Sequence, residues 1–185
     1  YDTQRIIQET NPGFSHICER RSPIALQQML LAGDMDLILI YRHFITPDPG
    51  LITQDLASFP VILMVSADNP NAVPGATFSD FRFTPFIFDH EDTASRNSDV
   101  RNRALAFALN FGIEPAEIIL VYNRETAFMA AEQGLGFILT SRFSNVIHNP
   151  NLKSYPTKGN ESLTAVWRED TDSELLRKYV EVLET

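Results

Sequence analysis

Cysteine is almost absent. Cys18 is the only one in 185 residues, so no internal disulfide can form, and the framework of a small secreted domain is excluded. Long apolar runs are missing too: a run such as Val61–Val65 is strand-sized and far short of the roughly 18 to 20 residues a membrane helix needs. Positive charge is in deficit, with 15 Lys and Arg against 24 Asp and Glu and a formal net charge of -9. Such a chain carries no basic field with which to hold a phosphate backbone, so any DNA binding must come from elsewhere. No methionine and no signal peptide open the sequence at Tyr1, Asp2 and Thr3, from which we expect a piece of a longer, cytoplasmic protein. What is present is an apolar share of 44%, enough to fill one sizeable core or two small ones.

Along the chain, helix and strand patterns alternate. Ile6 and Ile7 end a short amphipathic helix that Asn11-Pro12-Gly13 terminates, and Phe14–Cys18 alternates as a strand in which Cys18 is expected to be buried. Ser22-Pro23 then opens a helix, with a capping residue followed by proline at the first helical position. Ile24, Leu26, Met29 and Leu30 supply its apolar side, and Gly33 stops it. Asp36–Ile40, a continuous apolar run behind one acid, predicts a strand buried on both faces of a parallel sheet. After the turn formers of Thr46–Gly50, Leu51–Leu56 and Val61–Val65 read as two further strands. Asp68–Gly75, with Pro70 and Pro74, marks a first boundary.

A second series follows: a strand at Thr84–Phe88, a helix at Ser98–Phe111 carrying Leu105, Phe107, Ala108 and Phe111, and a strand at Ile118–Tyr122. Glu125–Gln133 is a helix ended by Gly134, and Phe137–Leu139 is a strand. Asn145–Lys158, with Pro150 and Pro156, marks a second boundary, after which a strand near Leu163–Trp167 and a helix from about Asp172 to Leu183 close the chain. These patterns predict an α/β protein of two doubly wound lobes joined by a double crossover, residues 1–67 with 150–185 forming lobe I and 68–149 lobe II. Ligands in such sheets bind beyond the carboxyl ends of the strands, which places the expected site in the cleft between lobes.

The order of these segments resembles the effector-binding domain of LysR-type transcriptional regulators. Ser22-Pro23, Leu26, Leu30 and Gly33, followed by Asp34, Met35, Asp36, Leu37 and Ile38, are similar to that family's capped helix, L-x-x-G-x-x-D element and buried strand. Leu63-Met64-Val65 before Asn69-Pro70-Asn71-Ala72 resembles its strand and H-P-L-A turn, with Asn69 and Asn71 departing from the usual residues. Phe78–Phe81 with Pro85-Phe86-Ile87, and Ala131–Gly136, resemble its L-x-x-L, P-F-I and V-x-x-G-x-G segments. The resemblance implies a type II periplasmic-binding-protein-like fold, a small effector in the interlobe cleft, and a homo-oligomer, dimer or tetramer. It also implies DNA binding through an N-terminal winged helix-turn-helix outside this sequence, and a first strand of lobe I that should precede Tyr1.

Effector contacts are expected where strand ends and helix N-termini meet, since free N–H groups there favour anions. Ser22 matches the position where the family's Ser or Thr meets the effector, a role compatible with capping, and Arg21 beside it can pair with a carboxylate. Arg42 follows a strand at its carboxyl end, between Tyr41 and His43. Phe88, at a strand end, is a candidate cleft wall, and Thr93 or Ser95 offers a hydroxyl before the next helix. Asn123 and Arg124 match the family's second-lobe contact region, although Asn123 also reads as a helix cap, and Thr140 ends the strand after Gly136. The acidic run Asp89, His90, Glu91, Asp92 reads as a solvated loop without a second His or Cys at ligand spacing, so no metal is expected. No nucleophile elbow, phosphate loop or cofactor motif is legible, which argues against an enzyme. The competing reading is a solute-binding transport receptor of the same fold.

Overall fold

The computed structural model describes residues 17–90, 97–141, 148–171 and 173–183. The expected helix near Ile6 and Ile7, most of the strand at Phe14–Cys18, and Thr93 and Ser95 lie outside the described residues. Among those described, the elements run α1 (Pro23–Ala32), β1 (Leu37–Tyr41), β2 (Leu51–Ser66), β3 (Phe86–Asp89), α2 (Asn97–Asn110), β4 (Ile118–Val121), α3 (Arg124–Glu132), β5 (Phe137–Ser141), β6 (Leu152–Arg168) and α4 (Glu174–Leu183). The chain divides into two compact units, one ending at Ser58 and resuming at Ser162, the other running Phe59–Glu161. None of the described helices is long and apolar enough to cross a membrane.

In the first unit, α1 forms where its ends are chemically marked. Ser22 is the N-cap, its Oγ accepting from the Ala25 N–H at 3.3 Å, and Pro23 loses nothing by lacking an N–H in the first turn. At the other end Gly33 takes φ 86°, which lets the N–H groups of Gly33 and Asp34 close back on Leu30 and Met29. The Arg168 guanidinium reaches the same helix end, donating to the carbonyls of Leu30 and Met35. Leu30, Ile38, Ile40 and Val166 make one small core, and Ala165, Trp167 and Val180 make another with Leu37, Ile52, Leu56 and Leu176.

Two expectations for this unit are corrected. β1 is antiparallel to β6, with Leu37 opposite Trp167 and Tyr41 opposite Leu163, and Leu39 is 40% exposed. An apolar run reports burial, and here the neighbour it lies against is the returning end of the chain. Cys18 is exposed and outside any strand, because no described strand lies against it to bury it.

In the second unit, β3 lies parallel to β4 and to β5, while β5 is antiparallel to β2. Strand alternation sends Val61, Leu63 and Val65 into the core that α2 covers, and Ile62 and Met64 into the core that α3 covers. Each fully buried side chain of this kind contributes about 1.5–3 kcal/mol. α2 presents Val100, Ala104, Ala108 and Phe111, with Phe107 packed beside them; the small alanines let the helix approach the sheet closely, and Leu105 does not enter that core.

The expected break at Asp68–Gly75 is a series of turns, but the segments read as two strands at Leu51–Leu56 and Val61–Val65 are one, and much of the expected break at Asn145–Lys158 belongs to a strand. β2 runs unbroken through Pro60, and β6 through Pro156, so both passages between the units are strands. Pro60 sits just outside the Val61–Val65 ladder with β5, where its missing N–H costs no bond of that ladder. Lys153–Asn160 reads as loop because, apart from the buried Tyr155, its residues are mostly polar and exposed and show no apolar alternation.

Gly134 and Gly136 play different parts. Gly134 adopts φ 77° after α3. Gly136 has no room for a side chain: a Cβ there would overlap the Pro85 carbonyl and lie 2.9 Å from Ile87 Cγ1, beside the bond from Phe137 N–H to Pro85 O at 2.8 Å. Gly136→Ala is therefore expected to destabilise the chain by about 3 kcal/mol, since backbone must move, and Gly134→Ala by only about 1 kcal/mol. Paired urea unfolding curves will check the ranking, which equal midpoints would refute.

Candidate functional site

The parallel strands β3, β4 and β5 of the second unit end at Asp89, Val121 and Ser141, so their carboxyl ends share one edge, the edge at which open α/β sheets take ligands. α3 begins directly behind that edge. Asn123 caps it, Oδ1 accepting from the Thr126 N–H at 2.8 Å, and the first-turn N–H groups of Arg124 and Glu125 have no acceptor among the described residues. Arg124 Nη1 lies 3.2 Å from Asp89 Oδ1 and donates to the Leu139 carbonyl at 3.2 Å, with the guanidinium 5.9 Å from the centre of the Phe128 ring. Thr140 follows on β5, 7% exposed, on the same strand face as Ile138, which packs beneath α3. The structure thus brings Asn123, Arg124 and Thr140 to one edge and adds Asp89.

Asp89 was hidden in the sequence within an acidic run that reads as a solvated loop. The usable signal was its position as the first polar residue after the apolar strand Phe86–Phe88. Phe88, expected as a cleft wall, is corrected: it is 6% exposed within the α2-side core, 5.8 Å from Phe86 and 6.1 Å from Phe107 between ring centres. Alternation turned its ring inward. Thr93 lies outside the described residues.

In the first unit, Ser22 stands at the α1 N-terminus with its hydroxyl accepting the cap bond. Arg21 is exposed and paired with Glu19 at 2.8 Å. Arg42, in the short 3-10 turn after β1, is engaged by a partner that sequence reasoning missed. Its Nε approaches the two Asp55 carboxylate oxygens at 3.0 and 3.2 Å, and its Nη2 approaches Oδ1 at 2.6 Å. Thr164 Oγ1 donates to the same carboxylate at 2.7 Å. Burial alone would raise the Asp55 pKa, but the bonds from Arg42 and Thr164, the Arg42 charge and the Ser162 hydroxyl together outweigh it and hold the carboxyl below its ordinary range.

Two surface depressions of the second unit lie elsewhere. One, of about 370 Å³, is lined by residues such as His148, Thr157 and Lys158; the other, of about 400 Å³, by Phe78, Arg82, Phe83 and Glu114 among others. Neither takes in any sequence-predicted contact. Among the described residues, no group of three His, Cys, Asp or Glu side chains is placed to hold a metal ion.

The family model of the LysR substrate binding domain matches residues 7–185. Among solved structures, the BenM effector binding domain with its effector benzoate is 16% identical, with a TM-score of 0.73 over 98% of this chain and 82% of that one. The C-terminal domain of a probable LysR family transcriptional regulator from Rhodococcus sp. RHA1 is 19% identical, with a TM-score of 0.68 over 100% of this chain and 91% of that one. Full-length CbnR complexed with its target DNA is 17% identical, with a TM-score of 0.70 over 98% of this chain and 63% of that one. At these identities the likeness is one of fold, the type II periplasmic-binding-protein-like fold. No curated protein matches the chain by sequence.

Because the folded pKa of Asp55 is lowered, its contribution to stability is complete above the unfolded-state pKa and fades as pH falls through the folded one. Asp55→Asn is expected to cost about 1 kcal/mol at neutral pH, the scale of a partly exposed ion pair, and to flatten the loss of stability in acid below about pH 4. Urea midpoints measured across that range, equal at all pH values for both proteins, would refute this.

Proposed function

Because the chain belongs to the LysR substrate binding domain family, we propose that it is the ligand-sensing part of a cytoplasmic transcriptional regulator whose effector is a small anionic molecule. The observation that carries this reading is the edge formed by β3, β4 and β5, where a guanidinium, a helix N-terminus and a hydroxyl converge from Arg124, α3 and Thr140. Each favours negative charge by dipole or hydrogen bond. That BenM takes benzoate as its effector supports a carboxylate, as do Ser22 and Arg21 at the N-terminus of α1.

In this reading the domain works by shifting populations. An effector with higher affinity for one arrangement of the protein draws it toward that arrangement and changes how a homo-oligomer holds its DNA-reading heads. Those heads are a winged helix-turn-helix outside this sequence, since the acidic charge of -9 suits a reader of small molecules.

A panel of small carboxylates, benzoate among them, screened by thermal shift tests the reading. A ligand at one hundred times its Kd adds about 2.7 kcal/mol to native stability, an upward shift of about 5–10 °C for a domain of this size. Flat curves with every carboxylate would remove the anionic effector, and turnover of any ligand would replace the sensor with an enzyme.

A further inference from the structure

Arg42 and Arg124 both follow strands, and both are paired with an aspartate, yet the two pairs are built differently. Arg42 holds Asp55 through three contacts, the shortest 2.6 Å, and the carboxylate is locked further by Thr164. Arg124 meets Asp89 through Nη1 alone at 3.2 Å, longer than the ~2.7–2.9 Å of a well-formed charge-assisted bond. Asp89 has no second side-chain donor among the described residues, and Nε and Nη2 of Arg124 have no acceptor among them. The first pair is a fixture and the second is slack.

A second observation points the same way. Thr140 is more than nine-tenths buried, and its hydroxyl has no hydrogen-bond partner among the described residues. Among the described residues the fully buried side-chain polar atom without a partner is Trp167 Nε1, so the unbonded Thr140 hydroxyl keeps an opening through which a ligand can reach it. Thr140 lies on the face of β5 that α3 covers, next in sequence to the Leu139 carbonyl that receives Arg124.

We propose that Asp89 is a resident counter-ion that an effector carboxylate displaces from Arg124, with Thr140 Oγ1 donating to the incoming group. Without ligand, Asp89 neutralises a cation that would otherwise face the dipole of α3 unaccompanied. With ligand, the open Nε and Nη2 edge of Arg124 takes the carboxylate in a two-pronged bond that Asp89 does not make. A single guanidinium with one hydroxyl and one helix end matches one negative charge, so a carboxylate is favoured over a doubly charged phosphate. The proposal rests on the effector-sensing reading of the same edge and adds how that edge is kept closed to weak anions.

Calorimetric titration of the chain with sodium benzoate, sodium acetate, sodium phosphate and uncharged benzamide tests it. Asp89→Asn should bind a carboxylate roughly fivefold to tenfold tighter than the wild type, because the internal competitor is gone, and benzamide should not distinguish the two. Arg124→Gln should lose carboxylate binding, while Thr140→Val weakens it and Thr140→Ser restores it. Ligand-free melting curves report whether each variant folds, and Asp89→Ser replaces Asp89→Asn if that one does not. Carboxylate binding that is equal or weaker in the Asp89 variant overturns the counter-ion and leaves the sensing reading standing. Tighter binding of phosphate than of either carboxylate also overturns the proposal. No carboxylate binding by either protein up to the solubility limit overturns both.

Discussion

A β-strand must send successive side chains to opposite faces, and in Val61–Val65 that rule decides how the second unit is layered. Because Val61, Leu63 and Val65 enter one core and Ile62 and Met64 the other, α2 and α3 have no choice of face. A register slip of one residue would exchange the two sets and leave each helix above side chains of the wrong volume. The ladder to β5 holds the register from Val61 opposite Ser141 to Val65 opposite Phe137. Gly136, pressed against the Pro85 backbone, draws β5 close to β3. The edge where Arg124 stands is a product of that layering, since α3 starts where β4 stops.

Electrostatics then sorts residues that look alike in sequence. Arg21, Arg42 and Arg124 were all candidates to meet an anion. One is exposed against a neighbouring glutamate, one is held by a carboxylate that two strands support, and one is loosely paired at a helix start. What separates them is the number and length of their bonds, which for Arg42 and Arg124 depend on residues well away in the chain.

That distance explains which features were legible. α1, its Ser22 cap and its Gly33 stop were readable because capping is decided within a few residues. The β3-α2-β4-α3-β5 series was readable for the same reason, each element carrying its own periodicity and turn. The direction of β1 was not, since its partner β6 lies at the other end of the chain. Nor were the full lengths of β2 and β6, whose polar or proline-bearing stretches hide the alternation of a strand. Asp55 was invisible as the partner of Arg42 because Thr164, which helps to hold it, is 109 residues away. Strand ends and the family resemblance led to Asn123, Arg124 and Thr140, which the structure brings to one edge, whereas Phe88 lies in the core because position along a strand does not tell which face a ring takes.

β2 leaves the first unit at Ser58 and β6 comes back to it at Ser162 without either strand ending. Most neighbouring modules are joined by linkers that tolerate cutting and reshuffling. Here a cut at either crossing would sever a strand that runs through both units. The two units, despite their separate cores, are therefore joined by backbone that is itself part of the sheet, not by a linker that can be cut without cost to either.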